Sequence, residues 1–392
     1  MNRYYLLLLL VTVNYFSSFT AYSYVQDKKN NVYEIPFEYV GGLMVIKAKV
    51  NGVEGRFIFD NGATHSCFNK EFAERSKVSF RKRVRITDGN NNRTYVRTAR
   101  VKQIEISEFS FSKASAYLID TKKFFPCDPV DGIIGASIIN IVNWKIDFKQ
   151  QKMFISLKPF SEEGKRIKTN ISSNNSTIIN FRVDGTLLRT KVDTGFSGEL
   201  KVNILRKGSL LRSSEIEKKV GISSLSVTGL GNIDTTYTIH RNKKLKYSGG
   251  ELSVAPKIIF TRYLKYEARI GLEYFKKYNL IINSLKREYI LSNPEETDPE
   301  LETSYGVRIY PVEGKFKIIQ IRSGEPFSGA LNLMDEISFI DKKPADRFDD
   351  WCQLKEYLRQ KTDKKESLFI RLGNRDKDVE IPYKKVTLQS FN

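Results

Sequence analysis

The sequence predicts a mostly β protein, with two copies of one lobe about a pseudo-two-fold axis followed by a separate α+β unit. Three observations carry this. First, Val50–Ala63, "VNGVEGRFIFDNGA", aligns without a gap on Val183–Phe196, "VDGTLLRTKVDTGF". Val, Gly, Arg, Asp and Gly coincide at 50/183, 52/185, 56/189, 60/193 and 62/195. Second, residues 133–156 align on 269–292, where Ile134, Gly135, Asn143, Ile146 and Ser156 recur as Ile270, Gly271, Asn279, Ile282 and Ser292. Third, residues 305–392 match neither repeat and mix short β-rich runs with one helical stretch, "DRFDDWCQLKEYLRQK".

The chain opens "MNRYYLLLLLVTVNYFSSFTAYS". Arg3 gives a basic start, Tyr4–Val13 an apolar run too short to span a bilayer, and Ala21-Tyr22-Ser23 the small residues of a cleavage point. Residues 1–23 therefore read as a cleaved export signal, with an uncleaved N-terminal anchor as the alternative, and the mature protein is expected in a periplasm or outside the cell.

The first lobe is expected over residues 34–160 and the second over 177–293. In each, a Gly-containing turn joins two β-rich runs, and the second run delivers Asp into a tight turn. The Asp and the later Ile-Gly lie 74 residues apart in the first copy and 77 in the second. Each Ile-Gly leads into one short helix and a hairpin. The linkers "SEEGKRIKTNISSNNS" (161–176) and "NPEETDPELETS" (293–304) are polar and read as surface connections. The third unit is expected over 304–388. It carries β-rich runs in "YGVRIYPV", "FKIIQIR", "EISFIDKKP", "ESLFIRLG" and "DVEIPYKKV", and a helix from about Phe348 to Gln360.

The net charge is +20 at pH 7, with basic residues concentrated in "RSKVSFRKRVR" (75–85). No helix-turn-helix, RNP or zinc-finger spacing accompanies them, so no nucleic-acid partner is expected. The basic face suits peripheral contact with an anionic membrane surface. Three cysteines give neither a disulfide framework nor a metal cluster. Cys67 and Cys127 can pair after export or remain two buried thiols, and Cys352 has no partner in either case.

With only His65 and His240, the chemistry narrows. No metal-ligand spacing, nucleophile elbow or phosphate loop is present, and no cofactor is called for. The two Asp-x-Gly turns need none of these. Two such loops meeting at a pseudo-two-fold axis bring Asp60 and Asp193 together, and two carboxylates at that range share a proton. The ionised one takes a proton from a water held between them, and the protonated one donates to a carbonyl as that water attacks. Gly62 and Gly195 let the turns approach closely.

On "FIFDNGA", "TKVDTGF", "DGIIGAS" and "EARIGLE", the sequence resembles retropepsin-like aspartic proteases from about Pro36 to Ser292. It is most similar to single-chain bacterial forms with a C-terminal PDZ-like domain. The resemblance implies Asp60 and Asp193 as the catalytic dyad of an endopeptidase acting on a peptide or protein substrate. It also implies a β-hairpin flap in each lobe. The candidates are "TDGNNNRTY", with Gly89 and Asn90, and "VTGLGNIDTTY", with Gly229 and Gly231.

In that family the residue after Asp is usually Thr or Ser, whose hydroxyl bonds across to the opposing loop. Thr194 fits and Asn61 departs. An amide both donates and accepts, so Asn61 can still bond across, but it is longer by one heavy atom; Asn61→Thr is therefore expected to keep or raise activity. Thr64 and Ser197, four residues after each Asp, offer secondary hydroxyls. Asn61 also feeds the alternative, an inactive relative that binds peptides without cleaving them. The third unit is similar to a PDZ domain through "SGEPFSGALNLMDEISFIDKKP", read as a small-residue turn, a short helix and a strand. Tyr305, Gly306 and Val307 would then form the loop that grips a peptide's C-terminal carboxylate.

Overall fold

The computed structural model describes residues 24–27, 31–211, 216–222, 225–226, 229–239, 243–295, 303–373 and 375–385. The expected signal segment and His240 lie outside these residues. Among those described, no helix is long and apolar enough to cross a membrane.

Both expected Asp hairpins form. Leu43–Val50 pairs antiparallel with Val53–Asp60 across Asn51-Gly52, and Thr177–Val183 with Thr186–Asp193 across Asp184-Gly185. All four turn residues have positive φ, of 49°, 85°, 47° and 77°. That two-residue geometry matches the twist of the strands it joins, and it favours Asn, Asp and Gly.

Each Asp strand then pairs in parallel with a later strand. Val53–Asp60 lies along Gly132–Gly135, with Asp60 opposite Gly135. Thr186–Asp193 lies along Ala268–Gly271, with Asp193 opposite Gly271. The glycines are required because the chain leaving each Asp crosses directly over them. A Cβ on Gly135 would sit 2.5 Å from the His65 carbonyl carbon, and one on Gly271 would sit 2.3 Å from Gly198 O. The one-turn helices Ala136–Ile139 and Leu272–Phe275 follow, as the repeat predicts. Their first amides tie back to the Asp loops: Ala136 N to Ala63 O at 2.7 Å, and Leu272 N to Phe196 O at 2.8 Å.

The halves join through a sheet. Asn143–Asp147 pairs antiparallel with Asn279–Asn283, Trp144 opposite Ile282. Each is flanked by its hairpin partner, Lys152–Ser156 or Glu288–Ser292. Tyr33–Val40 flanks one side and runs on into pairing with Leu43–Val50, and Lys165–Lys168 forms the edge on the other side. That last strand falls in the stretch expected to be a surface linker. Its pattern Lys-Arg-Ile-Lys buries Ile167 and exposes its neighbours, so it serves as an edge strand. Trp144 is fully buried, donates to Ile139 O at 3.0 Å, and meets Phe59 edge-on at 4.8 Å. The residue before Asp60 is thus held by the sheet between the halves. Apolar side chains from both halves form one continuous core.

The C-terminal unit has a core of its own, including Tyr305, Ile318, Leu354 and Ile370. Its helix runs Trp351–Asp363, later than expected, because Asp350 caps it by accepting from Cys352 N and Gln353 N at 2.8 and 2.9 Å. The short helix expected after Ser323 is replaced by consecutive turns, Ser328 N to Glu325 O and Ala330 N to Phe327 O. Pro326 and Gly329 explain this, since neither favours a helix interior.

Among the described residues, a strand pairing and a disulfide, with a hydrogen bond from the Tyr310 hydroxyl to Lys123 O at 3.4 Å, dock this unit on the rest. Glu217–Ile222 pairs antiparallel with Lys315–Arg322, extending the second half's sheet. Arg322, at that seam, bonds Glu217 at 2.6 Å and Glu325 at 3.3 Å. A disulfide joins Cys127 to Cys352. This corrects the expectation that Cys127 pairs with Cys67 or stays free and that Cys352 is unpaired. Cys67 is the buried free thiol, 2% exposed on the interior strand Ser66–Phe68. Cys127 lies on a surface loop that the helix start of the C-terminal unit reaches.

Candidate active site

The two Asp-x-Gly turns face each other and interlock. A Cβ on Gly62 would lie 2.2 Å from Asp193 Cγ, and one on Gly195 would lie 2.2 Å from Asp60 Cγ. Each carboxyl therefore packs on the glycine of the opposite turn, and any side chain there would push the pair apart. Asp60 Oδ1 accepts from Gly62 N at 2.7 Å, Ala63 N at 3.1 Å and, across the axis, Gly195 N at 3.1 Å.

Asn61 and Thr194 lock the turns from beneath, both fully buried. Asn61 N donates to Thr194 Oγ1 at 3.0 Å, and Thr194 N donates to Asn61 Oδ1 at 2.8 Å. Thr194 Oγ1 donates in turn to Phe59 O at 3.0 Å. Asn61 Nδ2 instead reaches the hydroxyl of Tyr289 at 2.9 Å. The added length of the amide is thus used to bind a residue of the sheet between the halves.

Burial, then the charge of Asp193, pushes the Asp60 carboxyl up to about 7, while Lys191 and the amides of Gly62 and Ala63 pull the other way. Lys191 Nζ donates to Gly62 O at 2.5 Å and sits 4.8 Å from the centre of the Tyr266 ring. Arg269 donates to Asp193 Oδ2 at 3.3 Å, with its guanidinium 4.4 Å from the centre of the Phe196 ring.

The hairpin Lys82–Thr87 and Arg93–Ile106 turns through Gly89 and Asn90. Asp88 Oδ1 holds that turn by accepting from Asn90 N and Asn92 N at 3.0 and 2.8 Å. Gly89 O accepts from Lys265 N at 3.3 Å, so the tip rests on the second half. Gly229 lies in Gly229–Leu230, paired with Leu225–Ser226, and Gly231 follows. Residues 227 and 228 of that expected flap are outside those described. Asn232 Nδ2 donates to Asn92 Oδ1 at 3.0 Å, linking the two segments.

His65 and Thr64 line the cleft, with His65 Nδ1 3.1 Å from Thr64 Oγ1 and its ring 4.8 Å from that of Tyr117. Ser197 lines an adjoining cavity that reaches the C-terminal unit. Tyr305 is buried and donates to Glu366 O at 3.0 Å, Gly306 has φ 70°, and Val307 starts the edge strand Val307–Val312. No metal-ligand cluster occurs among the described residues.

Tyr289, Lys191 and Arg269 were missed as site residues. The last two had a visible signal. The repeats align them with Ile58 and Ile133, so each is a cation where the other copy is apolar.

The family model for aspartyl protease matches residues 46–138, which include Asp60 and Ile134-Gly135. That stretch is an aspartic-protease-like domain, and Asp193 lies beyond it. No curated protein matches the chain. Among solved structures, the basic 7S globulin from soybean is 9% identical, with a TM-score of 0.39 over 68% of this chain and 95% of that one. A likeness that remote bears on neither site nor activity.

Proposed function

We propose that the chain is an exported aspartic endopeptidase of two equivalent lobes, hydrolysing extended peptides with a water activated between Asp60 and Asp193. The observation that carries this is the reciprocal packing of each carboxyl on the opposite glycine, with Asp60 retaining a proton to about neutrality. In this mechanism Asp193, beside Arg269, is the ionised member and takes a proton from the attacking water. Asp60 donates to the scissile carbonyl oxygen; as the gem-diol collapses, one hydroxyl proton returns to Asp60 and the amine leaves with the proton that Asp193 has taken. The hairpin through Gly89 covers the cleft and excludes bulk water. Export is supported by the apolar start of the sequence and by the Cys127–Cys352 disulfide, a bond suited to an oxidising compartment.

The C-terminal unit is read as a PDZ-like domain for peptide capture or regulation. Val307–Val312 lies at the edge of its sheet, and Tyr310 on that strand meets Trp351 of the helix at 5.4 Å. A strand edge beside a helix is the groove in which a peptide adds a strand.

One observation favours a second reading, a peptide-binding protein without activity: Arg269 presses a cation on Asp193. Mass-spectrometric mapping of an unfolded protein substrate incubated with the full chain separates the two. New internal cleavage sites support the endopeptidase, and binding without cleavage supports the second reading.

A further inference from the structure

The halves differ in charge at three adjoining positions beneath the cleft. In the first half, Ile133 sits between Ile58 and Cys67 in the sheet. In the second, Arg269 sits between Lys191 and Lys201 in the same pairings. Three cations thus replace two isoleucines and a cysteine, and all three are nine-tenths or more buried.

Burying a cation is costly unless something compensates it. Lys191 is compensated by Gly62 O and the face of Tyr266. Lys201 has the Phe196 ring 5.3 Å from Nζ and the more distant charges of Asp234 and Asp193, with no direct ion pair among the described residues. Burial, then the charge of Arg269, pulls the Lys201 ammonium down to about 7, although Asp234 and Asp193 pull the other way. Arg269 spends one nitrogen on Asp193, and its Nε, also buried, has no partner among the described residues.

Both side chains line a cavity of about 500 Å³ that starts at Gly195, beside the dyad, and ends at Arg308, Trp351 and Lys355 of the C-terminal unit. Among the described residues, its one acidic lining residue is Asp128, whose carboxylate is held by Arg56 at 2.7 Å.

We infer that this cavity is a substrate subsite for a carboxylate, held by Lys201 and Arg269 next to the scissile bond. The carboxylate is either an Asp or Glu side chain of the peptide or its terminal α-carboxylate. The inference rests on the endopeptidase reading for its place in a reaction, but its binding chemistry stands apart from it. A carboxylate supplies the acceptors that Lys201 Nζ and Arg269 Nε lack, and a neutral amide cannot offset their charge.

The test uses the full chain and synthetic peptides that differ by Glu or Gln at one position on either side of a cleaved bond. Each peptide is made with a free and an amidated C-terminus, and both affinity and kcat/KM are measured. The expected result is a preference of about tenfold or more for Glu at one position, or for the free terminus over the amide. Lys201→Met should reduce that ratio to within about threefold, and Arg308→Gln, at the solvent-facing end, should reduce it less. Equal affinity of the wild type for all four peptide types would overturn the inference, whether or not the variants fold. If the peptides bind with the Glu or free-terminus preference and none is cleaved, the subsite stands and the endopeptidase reading falls.

Discussion

Asn61 and Tyr289, 228 residues apart, meet through a buried hydrogen bond of 2.9 Å that fastens the Asp60 turn to the sheet between the halves. The repeat places Met153 at the position equivalent to Tyr289. The middle residue of the turn and its sheet partner therefore differ together: Asn with Tyr on one side, Thr with Met on the other.

This changes what Asn61→Thr should do. A threonine hydroxyl can still accept from Thr194 N, but it is too short to replace Nδ2 at Tyr289. The variant should lose about 1–2 kcal/mol of stability and should not gain activity. Asn61→Ala leaves Thr194 N without its acceptor as well and should lose about 2–4 kcal/mol. Denaturant unfolding of both variants with Tyr289→Phe gives the check. Asn61→Thr and Tyr289→Phe should show strongly non-additive losses, and additive ones would mean the contact is incidental.

The Asp60 proton makes stability depend on pH. Its folded pKa, about 7, lies above the ordinary 3.8, so the folded state holds the proton more tightly than the unfolded chain does. The stabilisation is complete below about 3.8 and is lost as pH rises through about 7. Asp60→Asn should flatten that slope and raise stability at pH 8 by about 1–3 kcal/mol. Unfolding curves at several pH values measure this. Peptide cleavage should decline over the same range as the shared proton is lost.

The Cys127–Cys352 bond spans 225 residues and ties the C-terminal unit to the first half. Its removal should cost about 2–5 kcal/mol. Thermal melts with and without reductant check it. The wild type should fall to the transition of the Cys127→Ser variant, which reductant should not move. Three free thiols in the unreduced, unfolded protein would refute the pairing.

Much of the frame was legible because it is local or repeated. Asn51-Gly52 and Asp184-Gly185 mark their own turns, and Gly135 and Gly271 mark the crossings behind each Asp. The Asn61–Tyr289 contact was not, since nothing in either segment points to the other until the halves are assembled. The disulfide escaped for the same reason: Cys352 finds Cys127 only through docking of the C-terminal unit. The cations at 191 and 269 were legible in principle, because the repeat sets each against an isoleucine. Attention to the shared Asp and Gly positions passed over where the copies disagree.

The central claim is that Asp60 and Asp193 act as one pair. The direct measurement is kcat/KM for one peptide with wild type, Asp60→Asn and Asp193→Asn, each shown by its melt to be folded. The account predicts a loss of at least about a thousandfold in each single variant and no further loss in the double, because either carboxylate alone lacks its partner. Cleavage that persists at the wild-type rate in either single variant would contradict it.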